Sequence, residues 1–352
     1  MEADNRHIAS WARRAIEARW RGARSGELLA LTGDVSTRRF CRIAISGSSD
    51  APASAIVVDL GPEDLPLYAR VLEMYPEPLP EPPWINLHRF LTVLGAPVPA
   101  LYEWSARDRL LLVEDVGSRS LFDAARSNPA KAADLYREAV RELMRFHVDA
   151  TAGANRECLA FEVRYDERLF AWEMRRFLEV GLAAVAPGAN AHALEADLAS
   201  LAHQLGALPR VFSHRDFHGN NLFVQGAIAS PKMRIIDFQD ALMAPATQDL
   251  AVLLTTRDTG DLISTATEER LLDFYFTGII RRGVATMSRD EFLKSYSRCV
   301  LQHALKCIGL FVFLEREGKR EYAAFTPHAL SQARRMLERL ATDFPRLRSA
   351  VA

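Results

Sequence analysis

Residues 213–224 read SHRDFHGNNLFV and residues 234–241 read RIIDFQDA. Asp216 and Asn221 stand five positions apart in a polar loop, and Asp237 ends an apolar run sixteen residues after Asn221. A hairpin that brings the Asn221 amide oxygen together with the Asp237 carboxylate makes a hard, oxygen-only site, which suits Mg²⁺ bridging phosphates far better than zinc. Asp216 then supplies a second carboxylate close by, able to accept a proton. The competing interpretation, an ordinary polar turn between two strands, has to treat two ordered and spaced motifs as coincidence.

Protein kinases carry out phosphoryl transfer with parts in this order. A loop H-R-D-x-x-x-x-N holds the Asp that orients and deprotonates the acceptor and an Asn that binds metal, and a D-F-x Asp holds the second metal. The run His214, Arg215, Asp216 and Asn221 matches that spacing, and Asp237-Phe238 matches the metal-binding pair. The expected catalytic group is therefore Asp216 with His214 and Arg215 beside it, and the expected metal ligands are Asn221 and Asp237. For His218 a hydrogen bond to a backbone carbonyl is a better account than a direct part in the chemistry.

The form HRDFHGNN, with an aromatic residue and a second histidine inside the loop, resembles the aminoglycoside phosphotransferase and choline kinase branch more than the protein kinases. The blocks GDVSTRRFCRI (33–43), VRYDERLFAWEM (163–174), IDFQDALMAPATQDLAVLL (236–254) and LQHALKCIGLFVFLEREGKREY (301–322) are similar to those of the anomeric sugar kinases of cell-wall recycling. The resemblance runs from about Leu31 to about Leu340. It implies a bilobal, protein-kinase-like α+β fold with a small antiparallel-sheet N-lobe and a larger helical C-lobe. It also implies an ATP- and Mg²⁺-dependent kinase that phosphorylates the anomeric hydroxyl of N-acetylmuramate or N-acetylglucosamine to the sugar 1-phosphate in peptidoglycan recycling. Other readings on the same fold are an aminoglycoside, choline or methylthioribose kinase; a different class is a catalytically silent binding module.

The kinase analogy also assigns nucleotide contacts. The turn TGDVST places Gly33, Asp34, Ser36 and Thr37 where backbone amides and hydroxyls could donate to phosphate oxygens. The strand AIVVDL (55–60) lacks the lysine with which kinases hold the α- and β-phosphates, so Arg38, or its neighbour Arg39, is the candidate replacement. Adenine is expected against the backbone from Glu114 to Val116, with Asp115 taking no part. In the second half, Asp249 is expected to support the catalytic loop, cap its own helix, or both. Trp172, Phe177, Phe311 and Phe313 read as core, and Lys306, Arg316 and Lys319 form no cluster visible in sequence.

The chain has 352 residues, 49% of them hydrophobic and 25% charged, enough for about two domains at roughly 150 residues each. The boundary is expected at residues 116/117: a nucleotide-binding lobe over 1–116 and a helical catalytic and substrate lobe over 117–352. Lys plus Arg (44) against Asp plus Glu (45) leaves a net charge of -1, which argues against a nucleic-acid partner or an anionic membrane. Apolar runs such as Ile308–Leu314 fall short of a bilayer span, and the charged N-terminus lacks the apolar stretch of a signal peptide. Cys41, Cys158, Cys299 and Cys307 form no CxxC pair, which fits a reduced cytoplasm. The expected partner is a small sugar, and nothing in the sequence sets an oligomeric state.

Overall fold

The computed structural model describes the chain except residues 1, 32–37, 63–64, 76–78, 229, 258, 284–286, 341 and 352. Its contacts separate two compact units: residues 1–66 with 97–118, and residues 67–96 with 119–352. Four of the expected nucleotide contacts, Gly33, Asp34, Ser36 and Thr37, lie outside the described residues.

The first unit is an antiparallel sheet of β1 (Arg24–Leu31), β2 (Arg39–Ser46), β3 (Ser54–Asp59), β4 (Leu101–Ser105) and β5 (Leu110–Glu114) in the order β1-β2-β3-β5-β4. β5 reads LLLVE with no alternation because it is interior to the sheet and nearly all of it is buried. The helix Glu2–Arg19 puts Ile8, Trp11, Ala12, Ala15 and Ile16 on one stripe, and this stripe forms a core with Ile43, Ile45, Val57, Leu110 and Leu112. β1 escapes a periodicity reading: it is an edge strand with a register shift between Ser25 and Leu28, and Leu29 is 60% exposed.

In the second unit, the helix Pro83–Val93 opens on a proline, whose fixed φ suits the first helical turn. It buries Trp84, Ile85, Leu87, Phe90 and Leu91, with Phe90 5.5 Å from the Phe161 ring and 5.6 Å from the Phe212 ring. These partners explain why residues 67–96, grouped by sequence position with the first lobe, pack with the helical unit instead. Strands β6 (Arg210–Ser213), β7 (Leu222–Gln225), β8 (Lys232–Ile235) and β9 (Leu242–Pro245) form two ribbons, β6 with β9 and β7 with β8.

The helix Arg289–Arg316 begins in a capping box, Ser288 with Glu291. Contrary to the expectation from short apolar runs, it is long and apolar enough to cross a membrane by length and composition. Its apolar side chains, among them Phe292, Tyr296, Leu301, Leu305 and Ile308, are instead buried in the helical unit. At Gly309 it meets the wide π-type turn Phe177–Gly181 backbone to backbone: a Cβ at Gly309 would lie 2.6 Å from the Phe177 nitrogen. Overpacking of this kind typically costs about 1–3 kcal/mol, against a helix-propensity gain of about 1 kcal/mol for replacing glycine. The clash is with backbone rather than with a flexible side chain, which puts the cost at the upper end, so Gly309→Ala is expected to lower unfolding stability in urea by about 2 kcal/mol. A variant as stable as the parent would show that the helices do not need this close approach.

Candidate active site

The two halves of the motif meet through the β7–β8 ribbon. Leu222 pairs with Ile235, and the Ile236 amide donates to the Asn221 carbonyl at 3.0 Å, so Asp237 begins one residue past Asn221's partner. The Asn221 amide group donates to the Asp216 carbonyl at 2.9 Å, which leaves its oxygen as the group that can face a metal. Asp237 turns out of β8 with φ 63°, a left-handed conformation that a non-glycine residue adopts at a cost. Phe238 behind it is buried 5.2 Å from the Trp84 ring, and Gln239 donates to the Asp237 carboxylate at 2.7 Å.

Arg215 is the second strained position, with φ 78°. The group that holds it is Asp249, completely buried in the first turn of the helix Gln248–Thr255. One Asp249 oxygen accepts the Arg215 amide at 2.8 Å; the other accepts the His214 amide at 2.7 Å and the His147 ring at 2.9 Å. The other His147 ring nitrogen lies 2.6 Å from the Tyr275 hydroxyl, which also bonds the Ala246 carbonyl. The carboxylate is thus taken up by the loop and by His147, while Thr247 occupies the N-cap without a side-chain cap bond. Of the two expected roles for Asp249, support is the one its bonds serve. His214 is fully buried and its ring donates to the Ile236 carbonyl at 2.8 Å, fastening the loop to the segment that carries Asp237.

The Arg215 guanidinium lies 3.9 Å over the Tyr68 ring, a close cation–π contact, and donates to Glu173 at 2.9 Å. Glu173 also accepts from Lys306 at 3.0 Å, from Gln302 at 3.1 Å and from the Tyr165 hydroxyl. Burial alone would raise the Glu173 pKa, but Lys306 and Arg215 outweigh it and hold the carboxyl at about 2. Asp216 is likewise held at about 2: burial opposes its charge, and Arg215, then Lys306 and His218, win. Of His214, Arg215 and Asp216, only Asp216 is half-buried rather than buried. His218 accepts the Asn220 amide at 3.3 Å through one ring nitrogen, and the other lies 3.2 Å from the Asn221 amide nitrogen.

In the first unit, Arg39 is bound to Asp59 at 2.6 Å. The Glu114 amide donates to the Ala100 carbonyl at 2.8 Å, and Val116 is buried. Asp115 pairs with Arg42 at 2.7 Å and accepts from Ser54 at 2.7 Å, so its charge is spent within the sheet. Sequence reasoning missed Glu173, His147, Tyr68 and Gln302. A signal existed for two of them: Glu173 falls on the buried stripe Leu169, Phe170, Glu173, Met174, and His147 on the stripe Val140, Leu143, Met144, His147. A charged or polar residue in an apolar stripe is costly unless it has partners.

The sequence profile of a phosphotransferase enzyme family matches residues 70–285, more than half of the chain. The chain belongs to this family. The N-acetylmuramate/N-acetylglucosamine kinase of Pseudomonas aeruginosa is 26% identical to this phosphotransferase over 314 residues, 88% of the chain and 83% of the relative. The choline kinase LicA from Streptococcus pneumoniae shares the fold with a TM-score of 0.58 at 15% identity, over 96% of this chain and 99% of that one. A streptomycin–ATP complex of the aminoglycoside phosphotransferase APH(2")-IIa aligns with a TM-score of 0.52 at 13% identity, over 92% and 97%. The fold is the kinase-like one of these phosphotransferases, and the chain is an enzyme that transfers phosphoryl to a hydroxyl acceptor.

The depressed carboxyls make the phosphotransferase acid-sensitive. A carboxyl whose folded pKa lies below its unfolded value stabilises the fold above the unfolded value and loses that contribution as pH falls. For Glu173, ordinarily at 4.5 and here at about 2, the contribution is complete above about pH 5 and is lost toward pH 2, on the order of 3 kcal/mol. Glu173→Gln should destabilise the protein at pH 7 and flatten its stability between pH 5 and 2. An unchanged acid limb in urea titrations would refute the charge assignment.

Proposed function

We propose that this phosphotransferase moves the γ-phosphoryl group of ATP to the anomeric hydroxyl of N-acetylmuramate or N-acetylglucosamine, giving the sugar 1-phosphate. The observation that carries the reading is the convergence of Asp216, Asn221 and Asp237 on one loop and one ribbon of the helical unit. The name of the Pseudomonas aeruginosa relative supports the acceptor, and the ATP complex of a protein with this fold supports the donor. ATP as donor places the reaction in the cytoplasm, and a peptidoglycan sugar as acceptor places it in cell-wall recycling.

Each residue has a distinct part. Asp216 takes the proton of the attacking hydroxyl, while His214 and Arg215 hold the loop in the backbone shape that presents it. Among the described residues no group of three or more His, Cys, Asp or Glu could hold a metal by itself. The Asn221 amide oxygen and the Asp237 carboxylate are hard oxygen donors that fit Mg²⁺, which is commonly held by one or two protein oxygens with phosphate oxygens and water completing its shell. Asn221 and Asp237 would hold it, and when bound it offsets the charge of the phosphates. A carboxylate near 2 is a weak base, which suits a loose transition state in which the proton leaves late and an anomeric hydroxyl, the most acidic of the sugar hydroxyls.

Asp216→Asn keeps the shape and removes the base, so kcat is expected to fall by roughly 10²-fold or more with nucleotide affinity little changed; near-native turnover would contradict the assignment. In the parent enzyme, N-acetylglucosamine should be phosphorylated in an ATP-consumption assay and its methyl glycoside, blocked at the anomeric oxygen alone, should not. Phosphorylation of the glycoside, or of an aminoglycoside in preference to both sugars, would replace the sugar 1-kinase reading with the aminoglycoside one.

A further inference from the structure

The cation Lys306 stands beside the carboxylate that holds Arg215. It extends from the helix Arg289–Arg316 to within 3.0 Å of Glu173, at the edge of the cluster that also contains Arg215. The Glu173 side chain is 2% exposed and that of Arg215 9%, whereas that of Lys306 is 23% exposed. Glu173 is bonded by Arg215, Tyr165 and Gln302 as well as by Lys306, so Lys306 shares this carboxylate with three other donors. An ammonium group carries three donors, and the bond to Glu173 occupies one of them. Arg215 and Lys306 are the first two cations acting on Asp216; the first is buried against Tyr68, and the second retains access to solvent.

Four other cations of the helical unit are engaged elsewhere. Arg298 pairs with Asp343 at 2.9 Å and Arg335 with Glu268 at 2.6 Å. Arg176 lies 4.4 Å over Phe313, and Arg257 lies 4.3 Å over Phe325 with Phe311 and Tyr322 around it.

We propose that Lys306 determines acceptor specificity: its ammonium group, held at the mouth of the Glu173–Arg215 cluster, receives a carboxylate carried by the acceptor sugar while the attacking hydroxyl meets Asp216. The inference rests on the sugar-kinase reading and narrows it. N-acetylmuramate carries a carboxylate on its lactyl ether, and N-acetylglucosamine has a plain hydroxyl at that position. The two sugars share the ring and the anomeric hydroxyl, so Lys306 makes the enzyme prefer the anionic one.

The test compares kcat/KM for both sugars, and for the methyl ester of N-acetylmuramate, in the parent enzyme and in Lys306→Met and Lys306→Arg. Lys306→Met also removes a charge beside Glu173 and Asp216, so the ratio between sugars is read rather than either rate. The N-acetylmuramate to N-acetylglucosamine ratio should fall by about 10-fold or more in Lys306→Met, the size of a lost charge-assisted hydrogen bond, and persist in Lys306→Arg. In the parent enzyme, which needs no variant to fold, the methyl ester should lose a similar factor against the free acid. An ester as good as the acid, or equal losses for both sugars in Lys306→Met, would overturn the assignment and leave the sugar-kinase reading standing. A parent enzyme that phosphorylates neither sugar would overturn both.

Discussion

The buried carboxylate of Asp249 is the constraint from which the site is built. It accepts two successive backbone amides, those of His214 and Arg215, and is itself fixed by His147. A carboxylate with no exposure is stable only when charge-assisted hydrogen bonds replace its hydration. Consecutive amides of an extended chain point to opposite sides, so their convergence on one carboxylate constrains the backbone at His214, and Arg215, just after the pair, takes up φ 78°. The next residue, Asp216, is half-buried where His214 and Arg215 are buried.

A second charge balance is laid on the first. Arg215 and Lys306 face Glu173 and Asp216, two cations against two anions, in a region where Glu173 has almost no exposure. A buried ion pair adds little stability over an apolar substitute, but removing one member leaves an uncompensated charge. The arrangement therefore fixes geometry and keeps Asp216 ionised. Tyr68 and Trp84, from residues 67–96, add apolar backing: one stacks under Arg215 and the other against Phe238 behind Asp237. The family match, which begins at residue 70, includes Trp84 and stops short of Tyr68.

Much of this was legible in the sequence because catalytic chemistry imposes spacing. The interval from Asp216 to Asn221 and the apolar run before Asp237 placed the loop and the ribbon, and the helical stripes placed the long helices. The supporting partners were less visible. Glu173 and His147 reach the loop from helices distant in sequence, and only their intrusion into apolar stripes marked them. β1 was hidden because an exposed edge strand shows no alternation between a buried and a solvent face. The grouping of residues 67–96 was hidden because it depends on aromatic contacts made with Phe161, Phe212 and Phe238. The unpaired look of Lys306 in the sequence had the same origin, since its partner Glu173 lies on another helix.

The central claim is that Asp249 acts on catalysis through the loop that presents Asp216, and a double-mutant cycle on kcat tests it directly. Residues that act as one unit give strongly non-additive losses, whereas independent ones add. Asp249→Asn should reduce kcat by roughly 10-fold or more in the parent enzyme, and should cost almost nothing further once Asp216 is Asn. If the two substitutions multiply their losses instead, Asp249 serves the enzyme by another route and the account of the site is wrong.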